Sequence, residues 1–539
     1  MKKILTLATV LLTPIALMAQ AVSFTNQNGM IGSYSSSSDV AADMNNDQLD
    51  DYVRVSSTGI GIDYQNPDGT FTSVFISKSI QNVPDWSIAV GDLDENGYND
   101  MVLGNGQRVS FLIANADGTD YTETAFPEFI FSQRSTLADI DNDGDLDAFV
   151  CHDVDLSHPY RNDGNGNMTL DQSLIQTIDA PGNYAAIWVD YDMDGDQDMY
   201  LTKCRGGTST GDPLNENAMY TNNGDGTFTE NALSIGLQDA DRSWATVFED
   251  FDNDGDWDAF VVNHDTQNNF FENDGNGNYV NITDLTGIDK HDLGSWENLS
   301  ADFNNDGNMD ILSEMSDELY LGNGDLTFTG QTLPFDEGGI GDLNNDGFLD
   351  VVRSGNLYIN NGNSNNWVKF FLKGVESNLN GIGARITIEG DWGAQMREIR
   401  SGQGFQHMNS LTAHFGIGTA TAIDKVTIVW PSGIVDVIEN VDPNETHVYI
   451  EGENPVLGLT DFNADTVTVY PNPTASELFF SQNGLANTKV TIVDVNGKIV
   501  LNTVISSSNN VDVASLQNGV YFAQLEIDNQ ARSYKFVKK

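Results

Sequence analysis

The chain has 539 residues, with 80 Asp plus Glu against 24 Lys plus Arg and a formal net charge of −56. A surface this negative repels phosphate backbones and anionic headgroups, which excludes nucleic acid and acidic membranes as partners and favours divalent cations. Two cysteines are too few for a disulfide scaffold, and no stretch beyond the N-terminus reaches the roughly 20 apolar residues of a membrane span, so no transmembrane segment is expected in the mature chain.

The first 21 residues have the order of a secretory signal: Met1, Lys2 and Lys3, an apolar run from Ile4 to Leu17, then Ala19-Gln20-Ala21. Residues 22–365 carry most of the acid, interleaved with Val, Ile, Leu, Phe and Trp, so a packed fold is expected there. Seven clusters with Asp or Asn at positions 1, 3, 5 and 9 recur every 40 to 60 residues or so, the spacing of propellers and solenoids. The first two copies are Asp43, Asn45, Asp47, Asp51 and Asp92, Asp94, Asn96, Asp100. The next three are all aspartate: Asp139, Asp141, Asp143, Asp147, then Asp190, Asp192, Asp194, Asp198, then Asp250, Asp252, Asp254, Asp258. The last two are Asp302, Asn304, Asp306, Asp310 and Asp342, Asn344, Asp346, Asp350.

Alternate side chains of a tight loop converge on one point, and an all-oxygen cage suits a hard cation, above all Ca²⁺. Position 6 is glycine in six copies and Gln48 in the first, which makes the first the weakest site of up to seven. An EF-hand needs a glutamate at position 12 and flanking helices. Here position 12 is Arg54, Leu103, Val150, Leu201, Val261, Ser313 or Arg353, within strand-like runs. The competing reading of one such cluster, a bare Asp-Gly hairpin turn, loses ground with seven copies in register.

Each unit also holds a second turn signature, as in Asn66-Pro67-Asp68-Gly69 and Asn223-Gly224-Asp225-Gly226, so four short antiparallel strands per unit are expected. Seven such units describe seven blades. Cys151 and Cys204 each follow a loop in consecutive units, where they either form a disulfide or remain two buried thiols. Trp86, Tyr184, Trp244 and Trp296 stand six residues before the first ligand of their units. Six strand residues span about 20 Å, which puts these rings at the face opposite the loops, either as a ligand platform or as packing between units. Gly207-Thr208-Ser209-Thr210-Gly211 has the form of a nucleophile elbow but lies in a loop-like stretch without its strand and helix.

These repeats resemble the FG-GAP or VCBS repeats of integrin-α-type β-propellers, and that resemblance implies calcium in loops on one face and partner binding chiefly on the other. Residues 366–452, with Ser377-Asn378-Leu379-Asn380-Gly381, Arg400-Ser401-Gly402-Gln403-Gly404-Phe405, His414-Phe415-Gly416 and Trp430-Pro431-Ser432-Gly433, resemble the ASPIC/UnbV domain of cartilage-acidic-protein-like proteins. His407 and His414 in this stretch read either as packing residues or as a metal or base pair. After a linker at 453–466, residues 467–539 resemble the C-terminal sorting domain of type IX secretion cargo, on Val469-Tyr470-Pro471-Asn472-Pro473, Leu516-Gln517-Asn518-Gly519-Val520-Tyr521 and the terminal Lys535-Phe536-Val537-Lys538-Lys539. That resemblance implies a Bacteroidota source, passage across the outer membrane by the type IX machinery, and secretion or surface attachment.

The expected fold is all-β: a seven-bladed β-propeller, a β-sandwich-like module and an Ig-like sorting domain. The expected function is a secreted or cell-surface calcium-binding scaffold for adhesion or for an extracellular glycan or protein ligand. The alternative is an enzyme, or enzyme subunit, acting on extracellular polysaccharide.

Overall fold

A computed structural model describes residues 21–176, 181–288, 295–314, 318–454, 469–470, 473–480, 488–494, 498–506, 509–527 and 530–539. The expected signal segment and most of the 453–466 linker lie outside these residues. The chain divides into two compact units, 1–456 and 457–539.

The regular secondary structure of the described residues is almost entirely strand. Between residues 24 and 360 the strands form seven separate four-stranded antiparallel sheets, none closed on itself. The first is built from Val40–Ala42, Asp51–Ser56, Gly59–Gln65 and Phe71–Ser77 in consecutive order, and the next five follow the same plan. In the seventh, Gly339–Gly341, Asp350–Arg353 and Asn356–Asn360 are completed by Phe24–Asn26 from the start of the chain. Two four-residue helical turns, Ala232–Ile235 and Thr283–Thr286, interrupt the strand pattern and end at Gly236 and Gly287 in the left-handed region.

Strand periodicity explains how the sheets stack. Successive side chains point to opposite faces, and in Asp258–Asn263 Ala259 and Val261 pack against the fourth sheet while Phe260 and Val262 pack against the sixth. The first two strands of each sheet are therefore almost wholly buried, whereas the fourth strand Phe71–Ser77 is mostly exposed. One apolar cluster joins each sheet to the next, and a cluster of Ala41, Tyr52, Leu343, Val352 and Leu357 joins the seventh to the first.

Residues 366–450 add a three-stranded sheet and a four-stranded sheet over one core of Val368, Phe370, Ile386, Ile388, Val426 and Trp430. That core is continuous with Ala89, Val102, Leu137 and Ala148 of the second and third sheets, so this module and the repeats form one body. In the C-terminal unit a three-stranded and a four-stranded sheet enclose Leu478, Phe480, Val490, Ile492 and Phe536. Cys151 and Cys204 are both buried and are not joined by a disulfide. The Cys204 sulfur instead accepts the indole N–H of Trp244 at 3.1 Å.

Candidate metal centres and the channel segment

All seven acidic loops connect the first and second strands of their sheets and share one backbone. Position 4 is left-handed in each (Asn46, Glu95, Asn142, Met193, Asn253, Asn305, Asn345), and so is position 6, at φ 85–101° for the six glycines and 71° for Gln48. This conformation turns the N–H of position 6 onto Oδ2 of the first aspartate in every copy, at 2.7–3.2 Å.

The aspartate at position 9 has a second role that spacing alone does not reveal. Its Oδ1 accepts an N–H from the end of the third strand in all seven sheets, at 2.6–3.0 Å. It therefore ties loop to sheet, deep in the protein. Burial, reinforced by the neighbouring carboxylates, pushes Asp100 and Asp147 up to about 8 and Asp198 and Asp258 up to about 9. Burial also raises the first-position Asp43, Asp92 and Asp139 to about 6 and Asp190 and Asp250 to about 7.

The loops fall into two kinds. In Asp92/Asp94/Asp100, Asp139/Asp141/Asp143, Asp190/Asp192/Asp194 and Asp250/Asp252/Asp254, one oxygen from each residue lies within 4.8 Å of the others. The three all-aspartate loops also leave buried oxygens without a hydrogen-bond donor: Asp141 Oδ1, Asp190 Oδ1, Asp252 Oδ1 and Asp258 Oδ2. Orphaned buried acceptors among like charges fit a hard cation, so these residues could hold Ca²⁺. In the first, sixth and seventh loops the asparagine at position 3 donates to the aspartate at position 5, Asn45 to Asp47, Asn304 to Asp306 and Asn344 to Asp346, at 2.9–3.0 Å. There the carboxamide already supplies part of what an ion would.

The 366–450 module sits on the loop side. Lys369 pairs with Asp342 at 2.7 Å and Arg385 with Asp190 at 2.8 Å, and a Cβ on Gly416 would overlap Asp302 and Asn305. From this module residues 399–410 thread the space enclosed by the first strands of the seven sheets. Arg400 donates to Phe248 O at 2.6 Å, Ser401 Oγ to Val90 O at 2.7 Å, and Leu137 N–H to Ser401 O at 3.2 Å. Fully buried Arg134 donates to Gln403 O at 2.9 Å and Phe405 O at 3.2 Å, while Glu297 accepts the N–H groups of Phe405 and Gln406. Met408 exchanges backbone bonds with Asp39 and Ala41, and Ser410 donates to Ile340 O.

Phe405, at the far end of this segment, meets the aromatic residues singled out in the sequence. Its ring is 6.5 Å from Trp86, 6.2 Å from Tyr184 and 5.0 Å from Trp244 between centroids. Trp244 in turn lies between His264 at 4.9 Å and Trp296 at 5.5 Å. The structure thus gathers all four rings at the ends of the first strands away from the loops, three of them against Phe405 and Trp296 stacked on Trp244. Spacing placed them together; the phenylalanine beside them comes from far along the chain. His407 and His414 are held separately, His407 Nδ1 by the Asp39 N–H and His414 Nε2 beside Gly347 O. Burial lowers His407, but Glu337, Asp39 and Glu297 outweigh it and hold it above its ordinary value.

Family models match three parts of this propeller-like chain: FG-GAP-like repeats, an ASPIC and UnbV module and a type IX sorting domain. The FG-GAP-like repeat matches residues 92–150 and 250–313, ASPIC and UnbV matches 374–456, and the secretion system C-terminal sorting domain matches 468–539. The sorting domain indicates an interaction with the type IX secretion machinery, and export followed by secretion or outer-surface attachment. Among the described residues no helix is long and apolar enough to cross a membrane. No curated protein matches the chain.

Solved structures similar to it include an Agrocybe aegerita lectin that recognises non-reducing terminal N-acetylglucosamine, at 16% identity over 70% of this chain and 93% of the lectin, TM-score 0.39. Bacillus licheniformis rhamnogalacturonan lyase PL11 is similar at 11% identity, covering 75% and 76%, TM-score 0.36. The V. cholerae biofilm matrix protein Bap1 is similar at 10% identity, covering 96% and 83%, TM-score 0.30.

Proposed function

We propose that residues 22–365 form a seven-bladed β-propeller stabilised by Ca²⁺ in up to seven loops, followed by an ASPIC/UnbV module at 366–452, a linker at 453–466 and an Ig-like sorting domain at 467–539. The exported protein is a non-catalytic scaffold for adhesion or for binding an extracellular glycan or protein. The observation that carries this reading is the filled channel. Segment 399–410 bonds to the inner strands around the ring, so the molecule offers a rigid outer surface in place of an open central site. The orphaned carboxylate oxygens of the all-aspartate loops support the metal part. A glycan and protein array probed with the full chain in millimolar calcium, followed by product analysis of every hit, tests it: binding without turnover is expected.

One observation favours the enzyme reading. Glu314 accepts the Trp296 N–H at 2.8 Å, and burial, with Glu337 nearby, pushes its carboxyl up to about 8. A carboxylic acid kept protonated beside an exposed tryptophan is the form a glycosidic proton donor takes. New reducing ends from any array hit, abolished by Glu314→Gln, would establish that reading instead.

A further inference from the structure

A groove away from the aromatic ring cluster lies where the sixth acidic loop meets the 366–450 module. It has a volume of about 850 Å³, within the roughly 300–1,000 Å³ typical of small-ligand sites. We propose that this groove binds a neutral oligosaccharide. The proposal rests on the glycan-binding reading above and gives it a place and a ligand class.

Three features of the lining point to that chemistry. Half-buried Trp392, in the turn between Arg385–Gly390 and Gly393–Glu398, is fixed at one edge because its indole N–H donates to Ala422 O at 3.2 Å. With the N–H committed, what it offers a ligand is its apolar ring, the surface on which the C–H face of a sugar stacks. The lining also carries the carboxamides of Asn308 and Asn365, groups that both donate and accept and so match hydroxyls better than they match a charge. Asn308 is itself oriented by donating to Asp306 Oδ1 at 2.9 Å, and Asn365 by donating to Asn304 O at 2.9 Å.

The charged groups lining the groove are Asp306 together with Asp391 and Asp424 at its exposed rim, and no Lys, Arg or His lines it. Three carboxylates disfavour uronate, sulfate or phosphate groups; Asp306 is already held by Asn304 and Asn308, while the exposed Asp391 and Asp424 can accept from paired sugar hydroxyls. A single lysine or arginine side chain of a protein partner would pair with the rim acids but leave most of the volume empty. Two to four linked neutral sugar rings would use both the ring and the amides.

The test uses the full-length protein in calcium, with cellotetraose, xylotetraose, mannotetraose and chitotetraose as probes in calorimetric titrations. Trp392→Ala is expected to weaken binding at least about tenfold, the worth of one stacked ring. Thr421→Arg, an exposed rim substitution that obstructs the groove without disturbing a core, is expected to do the same and guards against a Trp392 variant that fails to fold. Binding that survives both changes but is lost in Trp296→Ala would overturn this site and leave the general glycan reading intact. Failure of all four sugars to bind the unmodified chain overturns this site, and the general glycan reading falls with it only if the glycan array is also without a hit. Binding of hexalysine with none of the sugars, lost in Thr421→Arg, overturns the sugar assignment in favour of a cationic peptide.

Discussion

Two acidic regions of the molecule solve the same electrostatic problem differently. In the channel, buried carboxylates meet cations supplied by the chain: Arg400 lies 2.7 Å from Glu398 and 3.5 Å from Glu249, and Arg353 pairs with Asp336 and Glu337. In the loops, 24 aspartates and 4 asparagines at the expected ligand positions meet few cations of the chain. Among the described residues Arg161 pairs with Asp141, Arg385 with Asp190 and Lys369 with Asp342, and Arg397 acts at longer range on Asp250 and Asp302. A chain with 24 basic residues and 80 acidic ones has enough internal cation for one region. The channel is self-neutralised and the loops call for an external ion.

The sharpest break of this contrast is chelation. If the three all-aspartate loops each hold calcium at about 10 to 100 times its dissociation constant, its removal costs each about 1.4–2.7 kcal/mol, or about 4–8 kcal/mol together. A denaturant melt in EDTA against one in calcium measures this, and superimposable curves would refute the metal's role. Next in size, Arg400→Ala leaves Glu398 and Glu249 buried without their cation and costs about 3–5 kcal/mol. Because that charge is balanced internally, the loss is expected to be the same with and without calcium; a loss that calcium repairs would erase the distinction between the regions.

A smaller effect is expected from pH. Asp147, Asp198 and Asp258 have folded-state values of about 8 or 9, above the usual carboxylate range. Between that range and those values the folded chain binds more protons than the unfolded one, so stability falls as pH rises. Melts in EDTA should therefore decline steadily from pH 5 to pH 9, and in calcium, which holds the carboxylates ionised, the slope should flatten. The smallest change tests the asparagine loops. Asn304→Asp removes the donor to Asp306 and adds a charge, and is expected to cost about 1–2 kcal/mol in EDTA and much less in calcium.

The loops and the strands on either side of them were legible in the sequence because the contacts that close each loop are local, within nine residues of the first aspartate, whereas the tie from the ninth residue to the third strand, as between Asp198 and Asn222, spans 24 residues and was not. The division among loops was only half legible. Asn304 and Asp141 occupy the same position, but whether a carboxamide turns inward to bond a neighbour depends on the side-chain rotamer, which spacing does not encode. The aromatic set Trp86, Tyr184, Trp244 and Trp296 was found from its spacing, while Phe405 was visible only as part of a glycine-rich motif. The bond from Arg134 to Phe405 spans 271 residues, and no periodicity links two such positions. The groove beside Trp392 escaped for the same reason, since its walls come from segments at 306–308, 322–323, 364–365, 391–392 and 417–424.

The pairing of Phe24–Asn26 with Asn356–Asn360 governs the order of assembly. Phe24–Asn26 has no sheet to join until the segment 339–360, more than 300 residues later, is in place, so the ring behaves as a belt whose two ends meet only at the finish. Deleting residues 22–27 should leave a protein whose other six sheets are complete but whose buckle never shuts.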